Sequence, residues 1–233
     1  MNHAAIHGRI EKWLLQKQLV PLEALVDEVA GMAADAPLTD AGLAALTPTL
    51  DAELGRSAVS VGIGFVAAPG KVRGRSLYLH WMQLSGSRSV PLKLNLDRRD
   101  ADVYDYLEMD WYVHARDRRR PVIQGPYLDY SGSDRFVFTL TVPVVVDDEF
   151  LGVVGADLLA DRVEASLCGI LRSHTGRALV VGGDGTVIAS NTPDWMPGET
   201  LRTHPRDAPA TFEAVELISE WSGWSLATIE TAS

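Results

Sequence analysis

The spacing of apolar residues changes near residue 57. Before it, Ile6, Ile10, Trp13, Leu14 and Leu19 recur at helical intervals between charged residues. Pro21 breaks or restarts that stripe, and Leu22, Leu25, Val26 and Val29 continue it. Thr39 and Asp40 are placed to cap a shorter helix running toward Leu46. Residues 1–55 therefore read as a helical region. Its stripe either packs on the rest of the chain or forms a homodimer through the helices.

From residue 57 onward the pattern is that of strands. SAVSVGIGFVAA, RSLYLHWMQL and VPLKLNL are strand-like runs separated by PGKVRG and SGSRS turns. The segment RDADVYDYLEMDWYVHARDRRR reads as a helix or helical loop. FVFTLTVPVVV and EFLGVVGADLL follow as two strands joined at Asp147–Asp148, and a connecting helix starts at Asp161 with Val163, Leu167 and Ile170–Leu171. The tail holds ALVVGGDGTVIAS, a hairpin around Asp184–Gly185, then FEAVEL and WSLATIE as further strands. The order predicts an α+β chain rather than a doubly wound one. Its expected regions are 1–55, 56–160 and 161–233.

Composition narrows the function classes. The formal net charge is −10, which argues against non-specific binding to nucleic acid or to anionic membranes. Cys168 is the only cysteine, so an intramolecular disulfide and a cysteine-rich metal site are both excluded. Within SLCGIL it reads as a small buried hydrophobe. The first residues, MNHAAIHGRIEKWLL, lack the features of a signal peptide, and no run of about 18 apolar residues occurs. These features predict a cytoplasmic chain without a membrane span.

Catalytic patterns are missing too. The sequence has no G-x-S-x-G elbow, no phosphate-binding G-x-x-x-x-G-K-[ST] loop and no H-E-x-x-H. Its six histidines lack metal-ligand spacing, although His80 sits on a strand where it could face a pocket. ALVVGGDGTV resembles the opening of haloacid-dehalogenase-type phosphatases, but Gly182 stands where the nucleophilic aspartate belongs. The chain is expected to be no enzyme and to need neither cofactor nor metal.

The stretch from 104 to 158 is the most specific part. Trp111–Tyr112 in a helix is followed by Ala115, by Pro126–Tyr127–Leu128–Asp129, by a strand from Thr139 to Pro143, and by Gly152–Val153–Val154–Gly155–Ala156–Asp157. In order and spacing this resembles the Cache family, the PAS-like sensors of bacterial receptors, and in particular the double-Cache type. The resemblance implies a PAS-like antiparallel sheet carrying a ligand pocket, N-terminal helices, and a second, smaller lobe in the tail. It also implies a site made of Tyr104, Met109, Trp111, Tyr112, Tyr127, Asp129 and Asp157.

In the amino-acid-binding branch of that family, the positions matching Tyr127, Asp129 and Asp157 hold the ligand's ammonium, and one matching Tyr104 lines the pocket. That branch also carries an arginine two residues before the tryptophan, to pair with the ligand's carboxylate. Here that position is Met109, between Glu108 and Asp110. A thioether cannot clamp a carboxylate, so the expected ligand is a cationic amine. Aromatic walls and carboxylates suit such a cation. Three alternatives remain open: an amino acid or small carboxylate clamped by Lys93 or Arg73, a ligand-free interaction module, and an enzyme using Asp129 and Asp157 as acid and base. Asp129 also fits a plain turn cap before Gly132. The basic run Arg116, Arg118, Arg119 and Arg120 reads as a solvated face.

Overall fold

The computed structural model describes residues 1–229. Glu230, the end of the expected WSLATIE strand, and residues 231–233 of the expected last region lie outside the described residues. The chain packs as two compact units. One is Gln18–Leu159, and the other joins Met1–Lys17 to the residues from Ala160 onward. The expected boundary at 160/161 falls within one residue of the observed division, but the expected helical region 1–55 is split between the units. The split follows where each stretch buries its apolar side. His3 and His7, on the same helix as the fully buried Ile6 and Ile10, bond to Thr228 and to the Leu217 carbonyl. Leu22, Leu25, Val29, Leu50 and Leu54 are buried in the other unit.

Helix α1 (His3–Trp13) passes into a π-helical segment at Leu14–Leu19, and α2 runs Val20–Asp35 with Pro21 in its first turn. Proline is harmless there because the first backbone N–H groups of a helix have no internal partner. Thr39 caps α3 (Asp40–Leu43) by accepting the Gly42 N–H at 3.1 Å, and α4 is Thr47–Arg56.

The larger unit is built on a six-stranded antiparallel sheet in the order β3-β2-β1-β6-β5-β4. Its strands are β1 (Ser60–Ala67), β2 (Leu79–Ser85), β3 (Arg88–Pro91), β4 (Val122–Asp129), β5 (Arg135–Val146) and β6 (Glu149–Leu159). Helix α5 (Asp110–Arg118) lies against β4, β5 and β6. On the sheet, Phe65, Leu140, Val154, Ala156 and Leu158 are buried, with α2 against β5 and β6 and α4 against β1 and β2.

Two expectations change here. β3 stops at Pro91, so most of VPLKLNL is a loop, and β4 forms where only a turn was expected. β4 is an edge strand whose register slips between Gln124 and Tyr127. An edge strand with a bulge is where a sheet tolerates Pro126.

The second unit carries a four-stranded antiparallel sheet, β8-β7-β10-β9, made of β7 (Arg177–Val181), β8 (Val187–Ser190), β9 (Ala214–Leu217) and β10 (Ser225–Ile229). Helix α6 (Ala160–Leu171) packs on β7 and β8 and against α1. Among the described residues, no helix is long and apolar enough to cross a membrane.

Candidate ligand-binding site

Side chains alternate across a strand, so the register of β1, β2, β5 and β6 decides which of them meet. Two neighbouring rows cross the sheet on one face. In the first, Trp81 pairs with Gly64, Gly64 with Gly155, and Gly155 with Thr141. In the second, Gly62 pairs with Asp157 and Asp157 with Thr139. Glycines occupy three of these positions, and a small, partly open cavity of about 30 Å³ lies in this part of the unit. Aromatic walls come from Trp81, Trp111, Tyr104 and Tyr127, and leucines from Leu79, Leu92 and Leu94. The polar side chains on the lining are Asp129, Ser131, Thr139 and Asp157. Among the described residues, no Lys, Arg or His lines it.

A chain of hydrogen bonds runs across β4, β5 and β6. The Thr139 hydroxyl donates to Asp157 Oδ1 at 2.6 Å, and the Tyr127 phenol lies 2.5 Å from Thr139 Oγ1. Since Thr139 spends its proton on the carboxylate, Tyr127 donates to Thr139. Asp157 is half-buried, densely surrounded by protein, and lines the cavity. Burial pushes its carboxyl up to about 7, the Thr139 bond opposes that shift, and the Asp129 charge adds to it. Burial and the Asp157 charge likewise push the Tyr104 and Tyr127 phenols up, so both stay protonated.

Asp129 has a structural task as well as a place on the lining. Its Oδ1 accepts the Gly132 N–H at 3.0 Å and its Oδ2 the Ser133 N–H at 2.7 Å. Both of its oxygens are thereby engaged in closing the β4–β5 turn, as a turn-capping aspartate should. A Cβ at Gly132 would come within 2.4 Å of Asp129 Oδ2, so a side chain there would push the carboxylate off the turn.

Five of the seven expected site residues, Tyr104, Trp111, Tyr127, Asp129 and Asp157, line one cavity. Tyr112 does not. It is 1% exposed and packs edge-on against Tyr106, Trp111 and Phe150, at 5.3, 6.0 and 5.7 Å between ring centroids. Met109 is the N-cap of α5, 38% exposed, and is absent from the lining. Lys93 and Arg73, the candidate substitute clamps, are both exposed and absent from the cavity lining, although Lys93 stands between two lining leucines. His80 turns from the site as well, with Nε2 3.1 Å from Thr47 Oγ1. Sequence reasoning missed Trp81 and Thr139. The signal for Trp81 was the alternation Gly62-x-Gly64, which strips one strip of β1 of side chains so that a neighbouring strand's aromatic can lie over it.

The sequence from 46 to 164 matches the family described as the methyl-accepting chemotaxis protein-like first PDC sensor domain. Methyl-accepting chemotaxis protein PscA of Pseudomonas syringae pv. tomato is 28% identical over 118 residues, which are 49% of this chain and 18% of that protein. The chain thus spans under a fifth of that relative's length. The fold is similar to the ligand-binding domain of the Campylobacter jejuni chemoreceptor Tlp3 in complex with L-valine. There the TM-score is 0.68 at 15% identity, covering 98% of this chain and 89% of that one. It is also similar to a structure named methyl-accepting chemotaxis protein X, with TM-score 0.57 and 14% identity over 96% of this chain and all of that one. With half of its residues matched and a Cache-type α+β fold around them, this chain belongs to the methyl-accepting chemotaxis protein-like first PDC sensor domain family.

Proposed function

We propose that the unit Gln18–Leu159 is a small-molecule sensor whose ligand carries an ammonium group and no carboxylate. The observation behind this reading is the charge of the cavity wall: Asp129 and Asp157 line it, and among the described residues no basic side chain does. A carboxylate transferred into such a site would lose its hydration and gain no cation in return. An ammonium gains the Asp157 carboxylate and aromatic faces. The amino-acid reading has its own support, since Tlp3 structures are described in complex with L-valine and with isoleucine bound. In either case the ligand sits on β5 and β6, and α2 packs on those same strands. A change in their spacing on binding is therefore the route by which occupancy reaches the N-terminal helices. Such a shift requires the ligand to prefer one of two states. The reading is of a sensor, not of an enzyme.

The test is a thermal-shift and calorimetric comparison of choline, ethanolamine, L-valine, L-isoleucine and acetate, with Asp157→Asn as control. A ligand at about 100 times its Kd should add roughly 2.7 kcal/mol, a shift of several degrees. Stabilisation by the amines, lost in Asp157→Asn, is the expected result. Stabilisation by the amino acids or acetate alone would overturn the ammonium assignment and leave the sensor.

A further inference from the structure

Trp81 extends the ammonium reading and rests on it. Its indole packs close to three glycines of the sheet. A Cβ added at Gly62 would stand 2.5 Å from its Nε1, one at Gly64 2.9 Å from its Cε3, and one at Gly155 3.4 Å from its Cη2. Those atoms span both rings, so the indole lies along the three glycines. Trp81 is itself part of the cavity lining, and the sheet beneath it is the floor. Gly62 leaves room for the ring, while at Gly64 and Gly155 the His80 and Leu140 carbonyls also crowd the space a side chain would need.

The acceptors around the floor are few. A primary ammonium brings three N–H donors, and each costs free energy if it is desolvated without a partner. Both Asp129 oxygens already accept backbone N–H groups, and Asp157 Oδ1 accepts the Thr139 hydroxyl. Asp157 Oδ2, on the Gly62 side, is the carboxylate oxygen left over. Beside that oxygen and the Ser131 hydroxyl stand four aromatic side chains, Trp81, Trp111, Tyr104 and Tyr127. N-alkyl groups on a cation need aromatic faces rather than acceptors.

We propose that Trp81 is a ligand-contacting residue that selects N-alkylated ammonium groups over primary ones. The probes are ethanolamine, N,N-dimethylethanolamine and choline, which differ only in N-methylation, titrated calorimetrically into the full chain. Affinity should rise along that series, by about tenfold or more from end to end. Trp81→Leu should weaken choline about tenfold and ethanolamine less than about threefold, with Trp81→Phe in between. Asp157→Asn should weaken both.

Equal affinity for ethanolamine and choline, or an equal loss of both in Trp81→Leu, would overturn the role of Trp81 while the ammonium reading stands. Failure of every amine to bind the wild-type chain would overturn both. Should Trp81→Leu not fold, the wild-type series and Trp81→Phe decide the matter.

Discussion

On the six-stranded sheet, the face that lines the cavity carries Gly62, Gly64, Gly155, Thr139 and Asp157, and space remains above it. The four-stranded sheet has a face of Leu179, Val181, Val187 and Ala227 instead, with Trp195, Leu201, Phe212 and Val215 packed against it. The first sheet holds a buried acid, which is costly unless hydrogen-bonded, and the Thr139 bond meets that need. The second is an ordinary apolar core at close packing. A binding cavity in this fold is therefore made by removing side chains at chosen positions of a sheet, and it persists because the polar groups exposed there are bonded to each other.

The comparison breaks most visibly if its two halves are reversed. Gly64→Ala places a Cβ 2.2 Å from the His80 carbonyl oxygen, a backbone atom that cannot swing away. We expect about 3 kcal/mol of destabilisation or more, and loss of amine binding. Leu179→Ala, by emptying the filled face, should cost about 2–5 kcal/mol with amine affinity unchanged. Denaturant melts and calorimetry on the two variants check both, and a neutral Gly64→Ala would refute the close approach of β2 to β1 at that position.

A smaller effect is the pH dependence of the hollow sheet. The Asp157 carboxyl is raised to about 7, against an unfolded value near 4. The folded chain therefore holds a proton that the unfolded chain has lost between those values. Stability from this group is full below pH ~4 and is lost as pH rises through ~7. Asp157→Asn should flatten that fall and melt higher than wild type at pH 8. Choline, a permanent cation, should bind more weakly as pH drops below ~7, because the proton competes for the same carboxylate. Melting temperatures and titrations from pH 4 to 8 read both trends, and a wild-type curve parallel to that of Asp157→Asn would contradict them.

The smallest effect concerns Tyr112. Its ring is core and its hydroxyl takes no part in the site, so Tyr112→Phe should change stability by under about 0.5 kcal/mol and leave amine affinity untouched. Loss of affinity in that variant would return Tyr112 to the binding wall.

Strands β1, β5 and β6 were legible in the sequence because long apolar runs bounded by turn residues have few other readings. β4 was not, since Pro126 speaks against a strand unless one knows it lies on an edge. Of the expected site residues, Tyr104, Trp111, Tyr127, Asp129 and Asp157 come together on the lining of one cavity. The expectation failed for Tyr112 because adjacent helical residues point about 100° apart, so Trp111 and Tyr112 cannot share a wall. It failed for Met109 because a cap residue stands where the helix begins, outside the turn that faces the sheet. Thr139 looked like any strand threonine until its pairing with Asp157 was known.

The seating of Trp81 on the sheet also constrains the order in which the cavity wall can be remodelled. At Gly62 the indole nitrogen stands where a side chain would go, so a larger residue there has to wait for a smaller one at 81; at Gly64 and Gly155 the His80 and Leu140 carbonyls stand close whatever occupies 81. Positions 62 and 81 are thus bound into one epistatic pair with a preferred order of change, Trp81 first. New specificities should arise by shrinking that tryptophan before position 62 beneath it diversifies.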